Sequence, residues 1–141
     1  MKVEFAMNVR RFVRSLRSRV PREVELGLKA GLVEAAETTM TKAKRRTPVD
    51  TGALRSSGHV QPPKREGTEL HVLFGFGGPA GAGNLGETND EPVGYAVYVH
   101  EDLTARHKVG QAKYLESAVN DMRAKYPDII RRALARRLRR R

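Results

Sequence analysis

Cysteine is absent from this 141-residue chain, and with it go disulfide scaffolds, cysteine-based zinc sites and thiol nucleophiles. A cysteine-free chain suits a reducing cytosol. Long apolar runs are missing too: no stretch reaches the ~18 apolar residues that read as a membrane-spanning helix, so no membrane partner is expected. The opening residues, MKVEFAMNVRR, contain Glu4 and no apolar h-region, so they do not read as a signal peptide. Acidic residues are scarce at both ends. Residues 1–22 set seven basic residues against Glu4, and residues 128–141 set seven arginines against Asp128. Of the net charge of +11, each end thus carries +6 and the body, 23–127, sums to −1. Such basic ends meet nucleic acid, acidic protein or solvent. No aromatic residue interleaves the C-terminal arginines, as a base-stacking platform would require.

A chain of this length fits one domain, residues 1–141, with a modest core. Its organising stretch is Arg46 to Ser57, RTPVDTGALRSS. Thr47 precedes Pro48 and is pushed out of the α region, so a helix arriving from upstream ends there. Pro48 also lacks the N–H that continuation needs. Asp50 and Thr51 follow, with the Asp50 carboxylate placed to accept from nearby backbone N–H groups. Gly52 supplies positive φ without Cβ strain. Leu54 is the first apolar residue after the turn and should anchor it to the core.

Before that turn, Lys2 to Ala6 alternate polar and apolar as a short strand. Val9, Phe12, Val13 and Leu16 are spaced as one face of a short helix. From Pro21 to Arg46 the residues Val24, Leu28, Leu32, Ala35, Ala36 and Ala43 keep helical spacing, for a rod roughly 40 Å long. Gly27 and Gly31 beside that stripe each cost about 1 kcal/mol of helix propensity. They point either to close approach of another backbone or to tolerated glycines in a well-packed helix.

After the turn, Gly58-His59-Val60 reads as an edge strand interrupted by Pro62-Pro63. Glu69 to Phe76 places Leu70, Val72, Phe74 and Phe76 on one face and is the clearest strand. Residues 77–94, rich in Gly, Pro, Asn and acid, read as a long mobile loop that orders against a partner. Tyr95 to Val99 is β-branched and aromatic, and a strand is expected there. An irregular loop from Glu101 to Gly110 precedes a helical pattern with Leu115, Ala118, Val119 and Met122. Pro127 breaks or kinks it, with Asp128 favourable at the restart. Ile129, Ile130, Ala133, Leu134 and Leu138 then carry an apolar stripe through a basic C-terminal helix, 128–141. Arg131, Arg132, Arg136 and Arg137 project from its other face, and Arg139, Arg140 and Arg141 should fray. The fold class expected is α+β: a long N-terminal amphipathic helix and a C-terminal helix on a small, mostly antiparallel sheet, with a long Gly-rich loop.

Chemistry-bearing motifs are thin. Gly81 to Gly86 matches GxGxxG, but acid follows where phosphate would sit and no helix opens, so no dinucleotide cofactor is expected. His100-Glu101 begins like a zinc-protease helix, yet Thr104 stands at the required second histidine. His100, Asp102 and His107 make a conceivable metal set, against a histidine that hydrogen-bonds locally or across a subunit boundary. Ser56, Ser57 and Ser117 have no elbow or triad context. Glu101 and Asp102 beside Arg106 and Lys108 suggest salt bridging. No catalytic, cofactor or metal residue is assigned, and the chain is not read as an enzyme.

The order of these features resembles the tail-completion (neck, or head–tail joining) proteins of long-tailed bacteriophages, a family of minor tail or minor capsid components. The resemblance runs from Met1 to Leu138. It rests on TPVDTGALR (Thr47 to Arg55), YAVYVHE (Tyr95 to Glu101) and GQAKYL (Gly110 to Leu115). Departures are the long 77–94 segment, the arginine-dense end, and His100-Glu101-Asp102 where many members carry Glu-Gly-Thr. The resemblance implies a structural protein of the virion neck, assembled in the host cytoplasm into a ring, usually of six copies. Its partners would be a portal-side connector or head-completion protein, a tail terminator or tube protein, and DNA in the channel. Candidate subunit contacts are Gly77, Gly83, Asn84, Tyr95, Tyr98, His100 and Glu101. Candidate DNA- or acid-facing residues are the seven arginines from Arg131 to Arg141. A free-standing basic nucleic-acid-binding protein is the alternative.

Overall fold

The computed structural model describes residues 2–8, 21–49, 52–77, 96–104, 106 and 108–140. The expected helix at 9–16, most of the Gly-rich segment, Asp50, Thr51, Gly83, Asn84, Tyr95, His107 and Arg141 lie outside them.

Strand β4, Glu69–Gly75, is the middle of an antiparallel sheet, with β1, Lys2–Asn8, along one side. Val3 stands opposite Phe74 and Phe5 opposite Val72. Along the other side run two short pieces, β2 at His59–Val60 and β3 at Lys64–Glu66. Pro62-Pro63 separates them, since a proline has no N–H for the ladder. Alternation works as the sequence implies: Leu70, Val72 and Phe74 are buried in series, with Phe76 just beyond.

The long helix α1, Pro21–Arg46, packs on this face and touches β2 and β4. Its stripe of Val24, Leu28, Leu32, Ala36, Met40 and Ala43 forms one cluster with the sheet residues. Glu23 in the first turn and Lys44, Arg45 and Arg46 in the last complement the helix dipole. After Gly52 comes a single helical turn, α2 at Ala53–Ser56, which buries Leu54. The sequence placed a turn here, with Leu54 as its anchor.

One correction concerns YAVYV. Residues Ala96–Glu101 form a helix, α3, where a strand was expected. β4 is already paired on both sides, and β-propensity is a weak preference that tertiary context overrides. Helical spacing instead sets Val99 and His100 side by side against the core, Val99 partly buried and His100 buried.

The chain closes with α4, Tyr114–Met122, a 3₁₀ turn at Arg123–Lys125, and α5, Tyr126–Arg139. Pro127 sits in the first turn of α5, where its missing N–H would have had no partner anyway. Both helices lie on α1. Gly27 and Gly31 explain how closely: a Cβ on Gly31 would stand 2.8 Å from the Ile130 Cα, and one on Gly27 would stand 3.1 Å from the Leu134 Cα. Close backbone approach is therefore the reason for these glycines. Thr39 and the Tyr126 hydroxyl share a 2.9 Å hydrogen bond across the same interface. Burial pushes the Tyr126 phenol above its usual pKa.

Candidate functional site

The segments that carry the family resemblance meet at one end of α1. Thr47, fully buried, ends the helix by turning its hydroxyl onto the Ala43 carbonyl at 2.9 Å. Its own carbonyl accepts from Arg55 Nη2 at 3.1 Å, which ties the turn across Gly52. Gly52 holds φ 85°, in the left-handed region that the turn was expected to need. Pro48 and Thr47 then form a seat for Gly110. A Cβ on Gly110 would fall 2.5 Å from the Pro48 nitrogen and 2.6 Å from the Thr47 carbonyl carbon. Beside it the Gln111 N–H donates to the Arg46 carbonyl at 2.8 Å, so the last carbonyl of α1 is satisfied from 65 residues further along the chain.

His100 joins the second and third segments. Its carbonyl accepts from Lys113 N–H at 2.7 Å, and its Nε2 accepts from Glu116 N–H at 3.3 Å. The imidazole therefore supplies the N-terminal cap that Lys113, with φ 53° and no capping side chain, does not give α4. For Nε2 to accept, Nδ1 must carry the proton, and Nδ1 lies 2.7 Å from Glu101 Oε1. Lys113 bridges Glu101 and Glu116 on the outside, 3.1 Å from the latter. That hydrogen bond from Lys113, then the one from His100, holds the Glu101 carboxyl below its usual range. The partners expected for Glu101 were Arg106 and Lys108; Lys113 takes their place.

Tyr114 fills the middle. It is fully buried and meets Phe76 and His100 edge-on, each at 5.0 Å between ring centroids. Ser57 completes the back wall, donating to the Leu54 carbonyl at 2.7 Å and accepting from Gly77 N–H at 3.1 Å. The hydrogen bonds named here close local turns or join segments, while the buried Arg55 Nε has no partner among the described residues. Among the described residues, no three His, Asp or Glu side chains are grouped to hold a metal ion. Among the exposed polar residues of these segments stand three large apolar ones: Val49, Leu103 and Val109 are 39%, 75% and 52% exposed.

Of the candidate contact residues, Gly77 and His100 are enclosed by the fold, and Glu101 is exposed. The C-terminal arginines divide. Arg131 pairs with Asp128 at 2.8 Å, and Arg132 reaches the Asp128 carbonyl. Arg136 and Arg137 are not free of the body: they bridge to Glu34 and Glu23 of α1, the latter at 2.7 Å. Arg139 is still helical, and Arg140 follows as a turn. The periodicity placed the helix correctly but could not foresee its acidic partners on α1, which lie about a hundred residues upstream.

Among the described residues no helix is long and apolar enough to cross a membrane. No curated protein and no solved structure matches the chain. A family model described as "Bacteriophage HK97-gp10, putative tail-component" matches residues 10–117, from before α1 into α4. That span takes in all three joined segments and most of the chain. The protein thus belongs to the HK97-gp10-like family of bacteriophage tail components, structural proteins of the virion.

Proposed function

We propose that this chain is a neck protein, forming a ring at the head–tail junction of a long-tailed phage or phage-like particle. The family match over residues 10–117 carries the reading. The order of turn, sheet, His100-Glu101 and closing helices, which resembles tail-completion proteins, supports its finer part. In this reading about six copies assemble between a portal-side connector or head-completion protein and a tail terminator or tube. Neighbouring copies meet through Val49, Leu103, Val109 and Glu101, the exposed residues around the knot. Exposed apolar side chains interspersed with charged ones suit a subunit interface. Gly83, Asn84, Tyr95 and Tyr98 remain candidate contacts on the strength of the sequence resemblance.

Native mass spectrometry of the purified protein tests this. The expected result is a closed oligomer that V49D/L103D/V109D converts to monomer with little change in melting temperature. Particles carrying that variant should accumulate as filled heads and separate tails. A wild-type chain that stays monomeric at high concentration and is dispensable for joining would overturn the proposal.

A further inference from the structure

The arginine-rich end of α5 lies beside the start of α1. α5 runs antiparallel to α1, so its C-terminal turns lie beside the N-terminus of α1: Leu134 against Gly27, and Arg137 on Glu23. At this pole the acids are already matched. Glu23 holds Arg137, and Glu25 holds Lys29 at 2.8 Å and Arg65 at 2.6 Å. What stays open is cationic. Arg22, Arg139 and Arg140 are exposed, and no described acidic side chain pairs with them. The positive end of the α1 dipole points the same way.

We propose that this pole grips the phosphate backbone of duplex DNA without reading its sequence. An acidic protein is the weaker fit, because a protein interface needs an apolar centre. Of the exposed large apolar residues described, Val49, Leu103 and Val109 belong to the knot at the far end of α1, and only Leu138 lies near these arginines. Backbone phosphates ask for nothing but positioned cations. No aromatic residue stands among the C-terminal arginines to stack on a base. Of the described C-terminal arginines the structure thus singles out Arg139 and Arg140, and joins Arg22 to them. Arg136 and Arg137 instead neutralise α1. The inference rests on the neck reading for the source of the DNA, not for the binding itself.

The test is fluorescence anisotropy of the full-length protein with a mixed-sequence duplex between 50 and 200 mM salt. Wild type should bind duplexes of unrelated sequence alike, with affinity falling steeply as salt rises. R22Q/R139Q/R140Q should flatten the log–log salt slope by roughly 2 to 3, at about 0.9 per lost phosphate contact. R22K/R139K/R140K should keep the slope, and R131Q/R132Q should leave it within about one contact of wild type. An unchanged slope in the Gln triple variant, with wild-type circular dichroism, would sink the proposal. So would polyglutamate displacing DNA at equal charge concentration, which would make an acidic protein the occupant. Oligomer mass measured without DNA separates this from the neck reading. A ring that ignores DNA defeats only the present inference, and a DNA-binding monomer defeats only the neck.

Discussion

Two glycines at φ 85° and 90° illustrate how differently one residue type is used. Gly52 has open space where a Cβ would go, so only its backbone angle matters. Gly110 has the same angle and in addition leans on the backbone of Thr47 and Pro48. Gly52→Val should cost on the order of 1–3 kcal/mol, and Gly52→Asn far less, since asparagine tolerates the left-handed region. Gly110→Asn should gain nothing from that tolerance, because any side chain meets main-chain atoms. Urea denaturation of the four proteins checks this. Equal losses for both asparagine variants would show that Gly110 is not wedged against Pro48. His100 is the other residue whose role is local: it caps a helix that it does not belong to.

The α1–α5 crossing is where element-scale packing outweighs element-scale propensity. Replacing a helical glycine with alanine favours a free helix by about 1 kcal/mol. At Gly31 the added methyl would press on the Ile130 Cα, an atom that moves only if α5 moves. Gly31→Ala is therefore expected to destabilise by about 1–3 kcal/mol, reversing the sign that propensity gives. Thermal unfolding reads this directly, and a raised melting temperature would refute the close approach. The sequence marked both glycines through the apolar stripe beside them but could not name the partner. It also delimited α1 and β4, whose periods run long enough to be unambiguous, and placed the Pro127 restart. It missed α3 because the strand preference of Val97, Tyr98 and Val99 is weak and set by the packing around them, which those residues do not reveal by themselves. The one-turn α2 is too short to show a period. Of the site, Pro48, Gly52 and Leu54 were legible as turn chemistry. The seat of Gly110 on Pro48 was not, since a glycine in a polar loop looks the same whether or not another backbone presses on it.

Three carboxylates staple distant parts of the whole molecule: Glu25 joins α1 to β3, Asp121 joins α4 to the end of α1, and Glu101 joins α3 to Lys113. Hydrogen bonds from Lys29, Arg46 and Lys113 respectively are the main causes that lower their pKa values. A folded-state pKa below the unfolded one gives stability that is present above the usual carboxylate range and lost as pH falls through the folded value. The melting temperature should accordingly hold between about pH 7 and 5 and fall below about 4. Asp121→Asn should lower the plateau slightly and soften the fall. An acid limb identical to wild type would mean that Asp121 contributes nothing to it. Lys113, raised chiefly by its bond to Glu101, works in the opposite sense. Its contribution is complete at neutral pH and disappears only as alkali carries it through its folded pKa.

The antiparallel seating of α5 on α1 has a consequence in time. Glu23 and Arg137 are separated by 114 residues, and translation proceeds at about 5–20 residues per second. For several seconds, then, a nascent chain holds α1 with its glycine face uncovered and its Arg46 carbonyl waiting for Gln111. The strands can pair during that interval, but the face of α1 cannot close until its last partner has been made. Folding completes from the late end of the chain backwards, and the pole formed by Arg22 and Arg140 comes into being at that final step.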